Sequence, residues 1–378
     1  FSHHITLSMK AAVVPESVTE TKLAEIKEIP KPTIDDDQIL IKAEAGAINP
    51  TDWKHIIVAR SSKPGDIIGC DVSGIVEEVG SKVTNFKKGD AVSAYITGNI
   101  SSVNGAFSEY VAAYPQATIK YTNGLIHSTA VAKASTIIKT FEGAASMTLG
   151  LATVAMSFSH HLNISKQQQK QGSDAILIWG GATATGILAI QVAKLVYNLT
   201  VITTASPKNH EYLKQLGADY VLDYNDSRIV ENIRKIGNGN IRFGLDTVSN
   251  ATTFQYLYDA TESTTSSYDK MVYLDSLLAL DGNTIKTDPK RDKSVHWGYT
   301  FVDHSIIKVK KFNDKEYYQT PELFNDYYKW WQEIMPTIIN KIKHANLKIL
   351  DNGLESVNEA LQLSKDSKVS AEKIVFTI

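Results

Sequence analysis

The chain contains 378 residues, which corresponds to two domains at about 150 residues per domain. Hydrophobic residues make up 43% and charged residues 21%, a composition typical of a globular protein rather than a disordered chain. The 39 lysines and arginines nearly balance the 41 aspartates and glutamates, and the resulting net charge of −2 argues against nucleic acid or an anionic membrane as the main partner.

Cys70 is the only cysteine of the chain. A single thiol excludes an intrachain disulfide and any zinc site built from several cysteines, and it favours a reducing compartment, so we expect a cytoplasmic protein. No apolar run approaches the ~18 residues that a membrane-spanning helix needs. Phe1–Ser8 has neither the basic region nor the long apolar stretch of a secretory signal peptide, and we expect the folded domain to begin at Met9.

The first third of the chain predicts a β-barrel-like unit. Short runs of alternating apolar residues, separated by glycine and proline turns, indicate strands of about 5–6 residues, whereas helical patterning is weak. The predicted strands are Lys10–Val14, Gln38–Ala43, Ile67–Val79, Ala91–Ile96 and Phe107–Ala113.

From residue 143 onwards the pattern changes. Gly143–His160 is small and apolar and predicts a helix that connects two domains. Beyond it, predicted strands and helices alternate, which favours a doubly wound parallel sheet with helices on both faces. The strands are predicted at Ala175–Trp179, Thr200–Thr204, Tyr220–Leu222, Gly244–Val248, Lys270–Leu274 and Gly298–Val302, and the helices at Ile187–Val196, His210–Leu216 and Ser227–Lys235.

The last sixty residues predict a return to mixed structure. The expected elements are a long aromatic helix at Pro321–Lys343 interrupted at Pro336, a strand at Leu347–Leu350, a helix at Leu354–Lys365 and a final strand at Lys373–Ile378.

The clearest chemical signal is a glycine-rich turn between a buried strand and an apolar helix. It comprises Gly180, Gly181, Ala182, Thr183, Ala184, Thr185 and Gly186. In a dinucleotide site, such glycines allow a tight turn and close packing of strand and helix, and the helix N-terminus offers N–H groups to the pyrophosphate. Here Thr183 replaces the middle glycine of the G-x-G-x-x-G pattern. A turn that binds nothing is the alternative for the motif alone, and the strand–helix alternation argues against it.

The next strand lacks the acidic residue that holds the ribose in NAD-specific folds. It continues into Ser206 and Lys208, which supply a hydroxyl group and a positive charge that suit a 2′-phosphate. The sequence therefore predicts a preference for NADPH, with NADH as the other candidate cofactor. The alternative is that Lys208 is merely a solvated residue at the start of a helix.

Three further segments occur in order along the first third: Gly69–Gly80, Gly89–Val92 and Gly105–Tyr110. They resemble the G-H-E-x-x-G-x-V-x-x-V-G, G-D-x-V and G-x-F-x-E-Y segments of the medium-chain dehydrogenase/reductase superfamily, and the resemblance extends over nearly the whole chain from Met9. It implies a GroES-like β-barrel domain at residues 9–150, completed by 320–378, and a Rossmann NADP(H)-binding domain at 151–319.

The chain departs from the zinc-dependent members of that superfamily. Asn49 stands where they have their first metal-binding cysteine, Cys70 stands where they have the histidine, and the four-cysteine structural lobe is absent. We therefore predict that no zinc is bound. The run Asn49–Lys54 is similar to zinc-independent quinone and enoyl reductases, in particular a fungal subgroup that includes trans-acting polyketide enoyl reductases and yeast reductases of furfural-like aldehydes.

A hydride acceptor without a metal needs hydrogen-bond donors and a proton source. The candidate catalytic residues are Asn49 as an amide donor, Lys54 as a cation or general acid, and Tyr95 as a third donor. The alternatives are a turn-stabilising role for Asn49, a solvated Lys54, and a core or surface Tyr95. In addition to the glycine turn, the resemblance implies cofactor contacts from Pro50, Thr153, Ser206, Lys208, Tyr224, Ser249, Leu274 and Lys373.

The predicted function is an NADPH-dependent, zinc-independent reductase of small carbonyl compounds, namely aldehydes, ketones and conjugated carbonyls. Reduction of the C=C bond of an enone or enoyl thioester, or of a quinone, is the alternative, because the hydride geometry is the same. The carbonyl is favoured because no basic patch for a carrier phosphopantetheine is evident. A non-catalytic NADPH sensor is a second alternative. The expected partner is the small-molecule substrate, not nucleic acid or a membrane, and the chain is expected to be a monomer or a homodimer.

Overall fold

The computed structural model describes residues 7–128, 133–166, 174–262, 271–366 and 371–378. Residues 1–6 and the predicted strand start at Lys270 lie outside these ranges. The strands are, in chain order, β1 Ser8–Val13, β2 Glu25–Pro30, β3 Ile39–Ala47, β4 Asp71–Val79, β5 Ala91–Tyr95, β6 Tyr110–Ala113, β7 Thr118–Lys120, β8 Ala175–Trp179, β9 Thr200–Ala205, β10 Tyr220–Asp223, β11 Ile241–Asp246, β12 Val272–Ser276, β13 Val295–Tyr299, β14 Val309–Phe312, β15 Lys315–Tyr318, β16 Asn346–Leu350 and β17 Glu372–Thr377.

The helices follow the same order. They are α1 Pro50–Ile57, α2 Phe141–Ala145, α3 Thr148–Met156, α4 Ala184–Leu195, α5 His210–Gln215, α6 Ile229–Gly237, α7 Ala251–Ala260, α8 Pro321–Glu333, α9 Met335–Ile338 and α10 Val357–Lys365. A π-helical turn, Ser157–His161, follows α3 directly. No helix among these residues is both long and apolar enough to span a membrane.

The chain divides into two compact units. The first comprises the described residues up to Leu149 together with Lys343–Ile378, and the second is Gly150–Ile342. The chain thus returns to the first unit at Lys343, whereas the sequence analysis predicts this return at residue 320. The physical reason is the packing of α8, whose buried Trp330 donates a hydrogen bond from Nε1 to the Tyr197 hydroxyl of the second unit over 2.9 Å.

The first unit is built on a seven-stranded sheet in the order β16-β17-β3-β4-β5-β7, with β6 also paired to β3. Strand β3 lies at its centre and pairs antiparallel with both β4 and β17. The predicted strand at Ile67–Val79 begins only at Asp71, because Gly69 adopts a φ of +105° and turns the chain first. A Cβ atom on Gly69 would lie 2.4 Å from the ring of Phe107.

Helix α1 is an element that the sequence analysis missed. It begins at Pro50, and the carboxylate of Asp52 accepts a hydrogen bond from the backbone N–H of Asn49 over 2.7 Å. An asparagine followed by proline at the first helical position and an acidic residue at the third is a helix-start pattern, so the signal was present in the sequence. Strands β2 and β7, helix α7 and the β14–β15 hairpin were also not predicted.

The second unit contains a six-stranded parallel sheet in the order β10-β9-β8-β11-β12-β13. Numbered from its first strand, this order is 3-2-1-4-5-6, the arrangement of dinucleotide-binding sheets, and it confirms the predicted doubly wound topology. Strands β8 and β11 are neighbours at the point where the order reverses. Ligands of such sheets bind at the carboxyl ends of these two strands.

Strands β11 and β13 of this sheet begin three residues earlier than predicted, and they also end earlier than predicted. Strand β11 ends at Asp246 because its carboxylate accepts hydrogen bonds from the backbone N–H groups of Val248 and Ser249 and turns the chain out of the sheet. Strand β13 pairs with β12 from Val295 to Tyr299, so the chain leaves the sheet before residues 300–302.

Candidate functional site

The glycine turn of the second unit is so tightly packed that only a hydrogen atom fits where another residue would have its Cβ atom. Gly180 has a φ of +83°, and a Cβ atom on it would lie 2.5 Å from the Thr247 hydroxyl oxygen. A Cβ atom on Gly181 would lie 2.2 Å from the Thr203 hydroxyl oxygen, and one on Gly186 would lie 2.2 Å from the Gly180 carbonyl oxygen. The three glycines therefore fix a tight connection between β8 and α4 that side chains would disrupt.

Thr183 has a structural role in the position where the dinucleotide pattern has a glycine. Its hydroxyl group accepts a hydrogen bond from the Gly186 N–H over 3.0 Å and donates to the Gly180 carbonyl over 2.9 Å, so it caps α4. The N–H groups of Ala184 and Thr185, in the first turn of α4, have no carbonyl partner within the helix. This helix start suits a negatively charged phosphate group.

Ser206 and Tyr224 come together beyond the carboxyl ends of β9 and β10, with their hydroxyl oxygens 3.2 Å apart. Lys208 lies two residues after Ser206 and is exposed. The end of β9 at Ala205 carries no carboxylate. Two hydroxyl groups and a cation are donors that fit the 2′-phosphate of NADPH.

Ser249 lies in the turn after β11 and is buried, with a φ of +60°. Its hydroxyl group donates to the Asp246 carbonyl oxygen and accepts from the Leu277 N–H, which connects the ends of β11 and β12. Leu274, predicted to border the nicotinamide ribose, lies on β12 with its side chain buried in an apolar cluster that includes Leu257. Thr153 lies buried in α3.

In the first unit, Asn49 lies at the centre of a buried polar network. Its side-chain Nδ2 donates to the Asp71 carboxylate over 2.8 Å, and its Oδ1 accepts from the Lys373 ammonium group over 2.6 Å. Asn49 and Lys373 are each 5% exposed, and Asp71 is fully buried. The second Asp71 oxygen accepts from the Leu149 N–H over 2.9 Å.

The same network extends to Asp52, Asn99 and Cys70. The Asn99 side-chain Nδ2 lies 3.0 Å from Asp52 Oδ1 and 3.3 Å from the Cys70 sulfur, and its Oδ1 accepts from the Gly69 N–H. Asn99 has a φ of +72°, a conformation that asparagine tolerates better than most residues. Asp52 and Asn99 are both completely buried.

Burial is the main influence on the charges of this network. It raises the pKa of both Asp52 and Asp71 to about 6, against the opposing effect of the Lys373 charge and the hydrogen bonds that both carboxylates accept. Burial also lowers the pKa of Lys373, whereas the charges of Asp71, Asp52 and Cys70 act to raise it. One ammonium group thus shares a buried site with two carboxyl groups.

Lys54 and Tyr95, the other predicted catalytic residues, and Pro50, predicted as a cofactor contact, lie in different settings. Pro50 and Lys54 are exposed on α1, and the Lys54 ammonium lies 5.6 Å from the ring centroid of Trp53. Tyr95 is buried at the end of β5 and pairs in the sheet with Asp71. The structure therefore brings Asn49 and Lys373 together in the first unit, and leaves Lys54 at the solvent.

Sequence reasoning missed Asp52, Asp71 and Asn99, and it interpreted Lys373 as a cofactor contact. The helix-start pattern would have found Asp52. Nothing local links Lys373 to Asn49, because 324 residues separate them. In the part of the chain that the structure describes, no group of three or more His, Cys, Asp or Glu side chains could hold a metal ion.

Comparison with known proteins agrees with this architecture. The family model for the alcohol dehydrogenase GroES-like domain matches residues 35–123, and that for the zinc-binding dehydrogenase matches residues 184–264. The chain is 31% identical over 375 residues to a trans-enoyl reductase, ACTTS2, of Alternaria alternata, covering 98% of this chain and 99% of that protein.

Two solved structures share the fold. One is the quinone oxidoreductase of Coxiella burnetii, with 24% identity, a TM-score of 0.63, and coverage of 98% of this chain and 100% of that one. The other is the mycobacterial protein Rv1454c in complex with NADPH, with 22% identity, a TM-score of 0.64 and the same coverage. The predicted fold class, a GroES-like β unit with a Rossmann unit, is confirmed.

Proposed function

The chain belongs to the medium-chain dehydrogenase/reductase family of oxidoreductases, and we propose that it uses NADPH, without a metal ion, to reduce a C=C bond conjugated to a carbonyl group. The observation that carries this proposal is the similarity to a trans-enoyl reductase over nearly the whole of both chains. It supports the C=C bond over the isolated aldehyde or ketone carbonyl that the sequence analysis favoured. Quinones are the second substrate class, because a relative in fold is a quinone oxidoreductase.

The second unit supplies the residues that would hold the cofactor. When bound, NADPH supplies a hydride and becomes NADP⁺, while a proton reaches the adjacent carbon, so that the substrate gains two hydrogen atoms. Gly180, Gly181 and Gly186 give the pyrophosphate close access to the backbone, and the N–H groups of Ala184 and Thr185 would bind it. The tight internal contacts of the three glycines support this assignment, because they fix the sharp turn that sets the start of α4 at the end of β8, where folds of this kind bind the pyrophosphate.

The donors near the end of β9 support NADPH over NADH. We expect a higher kcat/KM with NADPH, and Lys208→Ala is expected to lower kcat/KM for NADPH by about tenfold while leaving that for NADH unchanged, because only NADPH has the 2′-phosphate. Lys214→Ala, which removes another exposed lysine of the same region, is the matched control. Equal losses with both cofactors would contradict the role of Lys208.

The first unit supplies the polar groups that would act on the substrate. An amide nitrogen has two N–H groups, and Asn49 directs one of them to Asp71, so the other is the donor that we assign to the substrate carbonyl oxygen. The exposed ammonium of Lys54 is the proposed proton source. Buried Tyr95 is a third candidate donor.

The donors in the network support a reaction without zinc. Zinc sites use thiolate, imidazole and carboxylate ligands arranged around one point. Here the Asn49 oxygen is bonded to the Lys373 ammonium, one Asp71 oxygen to Asn49 and the other to Leu149. A second cation beside the Lys373 ammonium would be repelled in this buried setting. The residues present therefore do not fit a zinc ion.

Product identification from cinnamaldehyde tests the proposal, because this substrate contains both bonds. We expect NADPH oxidation with formation of the saturated aldehyde, and we expect Asn49→Ala to lower turnover while NADPH binding stays intact. Formation of the unsaturated alcohol would overturn the proposal in favour of carbonyl reduction. Tight NADPH binding without oxidation by any enal, quinone or aldehyde would favour the non-catalytic sensor.

We propose a small conjugated carbonyl compound as the partner, with no role for nucleic acid or a membrane, and a cytoplasmic location. The net charge of −2 and the single buried thiol of Cys70 support these assignments. Monomer and homodimer both stay compatible with the proposal.

A further inference from the structure

Lys373 is a fully enclosed ammonium group whose contact with Asn49 does not follow from the family resemblance, which implies a cofactor contact for it. We propose that Lys373 is a positioning residue: its ammonium group fixes the orientation of the Asn49 side-chain amide, and so directs the N–H that acts on the substrate. This inference rests on the proposed function of the first unit. It assigns Lys373 to the catalytic network and not to the cofactor.

The chemistry of the two partners allows only one orientation of the amide. An ammonium group can only donate hydrogen bonds, and an ionised carboxylate can only accept them. The Asn49 oxygen must therefore face Lys373, at 2.6 Å, and its nitrogen must face Asp71, at 2.8 Å. Rotating the amide by 180° would set N–H against ammonium and oxygen against carboxylate, two repulsive contacts in a buried site.

The elements on either side of Asn49 hold its backbone in place as well. Asp52 accepts from the Asn49 N–H, and the Ile48 N–H donates to the Ile374 carbonyl, which ties the segment before α1 to β17. Lys373 lies on β17 next to Ile374, so the same strand anchors both the backbone and the amide. With the backbone and both ends of the amide fixed, the second N–H of Asn49 has one direction.

A cofactor contact would require the Lys373 ammonium to leave this network. The side chain is 5% exposed, and its charge is balanced by Asp71 and Asp52 within the first unit. Moving the ammonium to a phosphate would leave two buried carboxylates without their cation, which is strongly unfavourable. The geometry therefore favours the internal role.

The test is a double-mutant cycle of Lys373→Met and Asn49→Ala, read out as kcat and as the Kd for NADPH. We expect Lys373→Met to lower kcat by about tenfold or more with Kd unchanged, and to lower it by less than about twofold further when Asn49 is already alanine. Lys373→Arg, which keeps the charge and a donor, is expected to recover part of kcat. Independent, multiplicative losses would overturn the proposal, and so would a raised Kd with unchanged kcat.

A companion variant guards against a failure of Lys373→Met to fold. Lys373→Met/Asp71→Asn removes one positive and one negative charge together, and the amide that replaces the Asp71 carboxylate still offers an oxygen to Asn49. The kcat of this double variant is compared with that of Asp71→Asn alone. We expect it to be lower by the same factor by which Lys373→Met lowers the kcat of the wild type. Thermal unfolding of the cycle supplies a readout without substrate: coupled stability losses of Lys373→Met and Asn49→Ala support the contact even if no substrate is reduced, which would refute only the proposed function. Additive stability losses would overturn the contact.

Discussion

The two units bury ionisable groups in different ways. In the first unit, Asp52 and Asp71 share one buried cation, Lys373, and every carboxylate oxygen accepts a hydrogen bond. In the second unit, Asp275 and His161 lie against Gly298 without an ammonium group, and His161 Nε2 and Asp275 Oδ1 are buried without a hydrogen-bond partner in the described part of the chain.

The difference shows two solutions to the cost of burying charge. The pKa of the buried carboxyl groups does not distinguish the units, because burial raises the pKa of Asp275 to about 6, as it does for Asp52 and Asp71. What differs is the opposing influence: in the first unit the Lys373 charge and hydrogen bonds favour the carboxylates, and in the second unit only hydrogen bonds do. Burial also lowers the pKa of His161 well below its usual value, which favours the neutral imidazole. A network with its own cation suits a site that must hold a donor in place.

The largest effect is expected from breaking the balance in the first unit. Asp71→Ala removes the acceptor of Asn49 and Leu149 and leaves the Lys373 charge partly uncompensated, so we expect the free energy of unfolding to fall by about 3–5 kcal/mol. Denaturant unfolding measures this. Asp71→Asn, which keeps an oxygen acceptor, is the control and should cost less. An equal and small loss for both variants would mean that the charge does not matter.

A smaller effect of opposite sign is expected at Asp275. Because its folded pKa of about 6 lies above the ordinary value of 3.8, the native state binds a proton that the unfolded state has lost, and wild-type stability falls as the pH rises from about 4 to 6. Asp275→Asn does not titrate, so we expect its stability to improve relative to the wild type by roughly 2 kcal/mol across this range. Unfolding curves at about pH 4.5 and about pH 7 measure the change, and a pH-independent difference would contradict it.

The smallest effect is expected at a half-exposed histidine of the first unit. His127 hydrogen-bonds to Glu142 and Glu44, and although burial disfavours its cation, these two carboxylates raise its pKa. Its contribution is therefore complete below the unfolded pKa and is lost as the pH rises through the higher folded value. The histidine side chain is 46% exposed, so we expect less than about 1 kcal/mol.

Unfolding free energies of the wild type and His127→Gln, measured near pH 6 and pH 8 (about half a unit or more on either side of the ordinary histidine value), test this. The difference between the two proteins should shrink as the pH rises. A difference that grows with pH would show that the carboxylates do not stabilise the cation.

The sequence was most informative where the chemistry is local. The strand, the glycine turn and the helix from Ala175 to Leu195 follow one another directly in the chain. The turn could be predicted because the atoms packed against its glycines belong to the turn itself or to neighbouring segments of the same sheet. Helix α1 could have been predicted from Asn49, Pro50 and Asp52, and was missed because strand patterns dominate its surroundings. Both are cases in which a few adjacent residues determine the structure.

The remaining features depend on contacts between distant segments. The Asn49–Lys373 contact requires β17 to pair with β3, which no spacing in the sequence indicates. Similarly, the apolar face of α8 predicts that the helix packs against the protein, but it does not indicate which of the two units it packs against. The sequence therefore could not locate the return to the first unit at Lys343.

The position of β17 in chain order has a consequence for synthesis on the ribosome. All of the second unit, residues 150–342, is translated before β17, whereas the first unit needs β16 and β17 to complete its sheet. A nascent chain can therefore fold the second unit while Asp52 and Asp71 still wait for the ammonium group that balances them. Ribosome-bound chains that stop before Lys373 should thus contain a folded second unit, while the first unit still lacks the strand and the ammonium group that complete it.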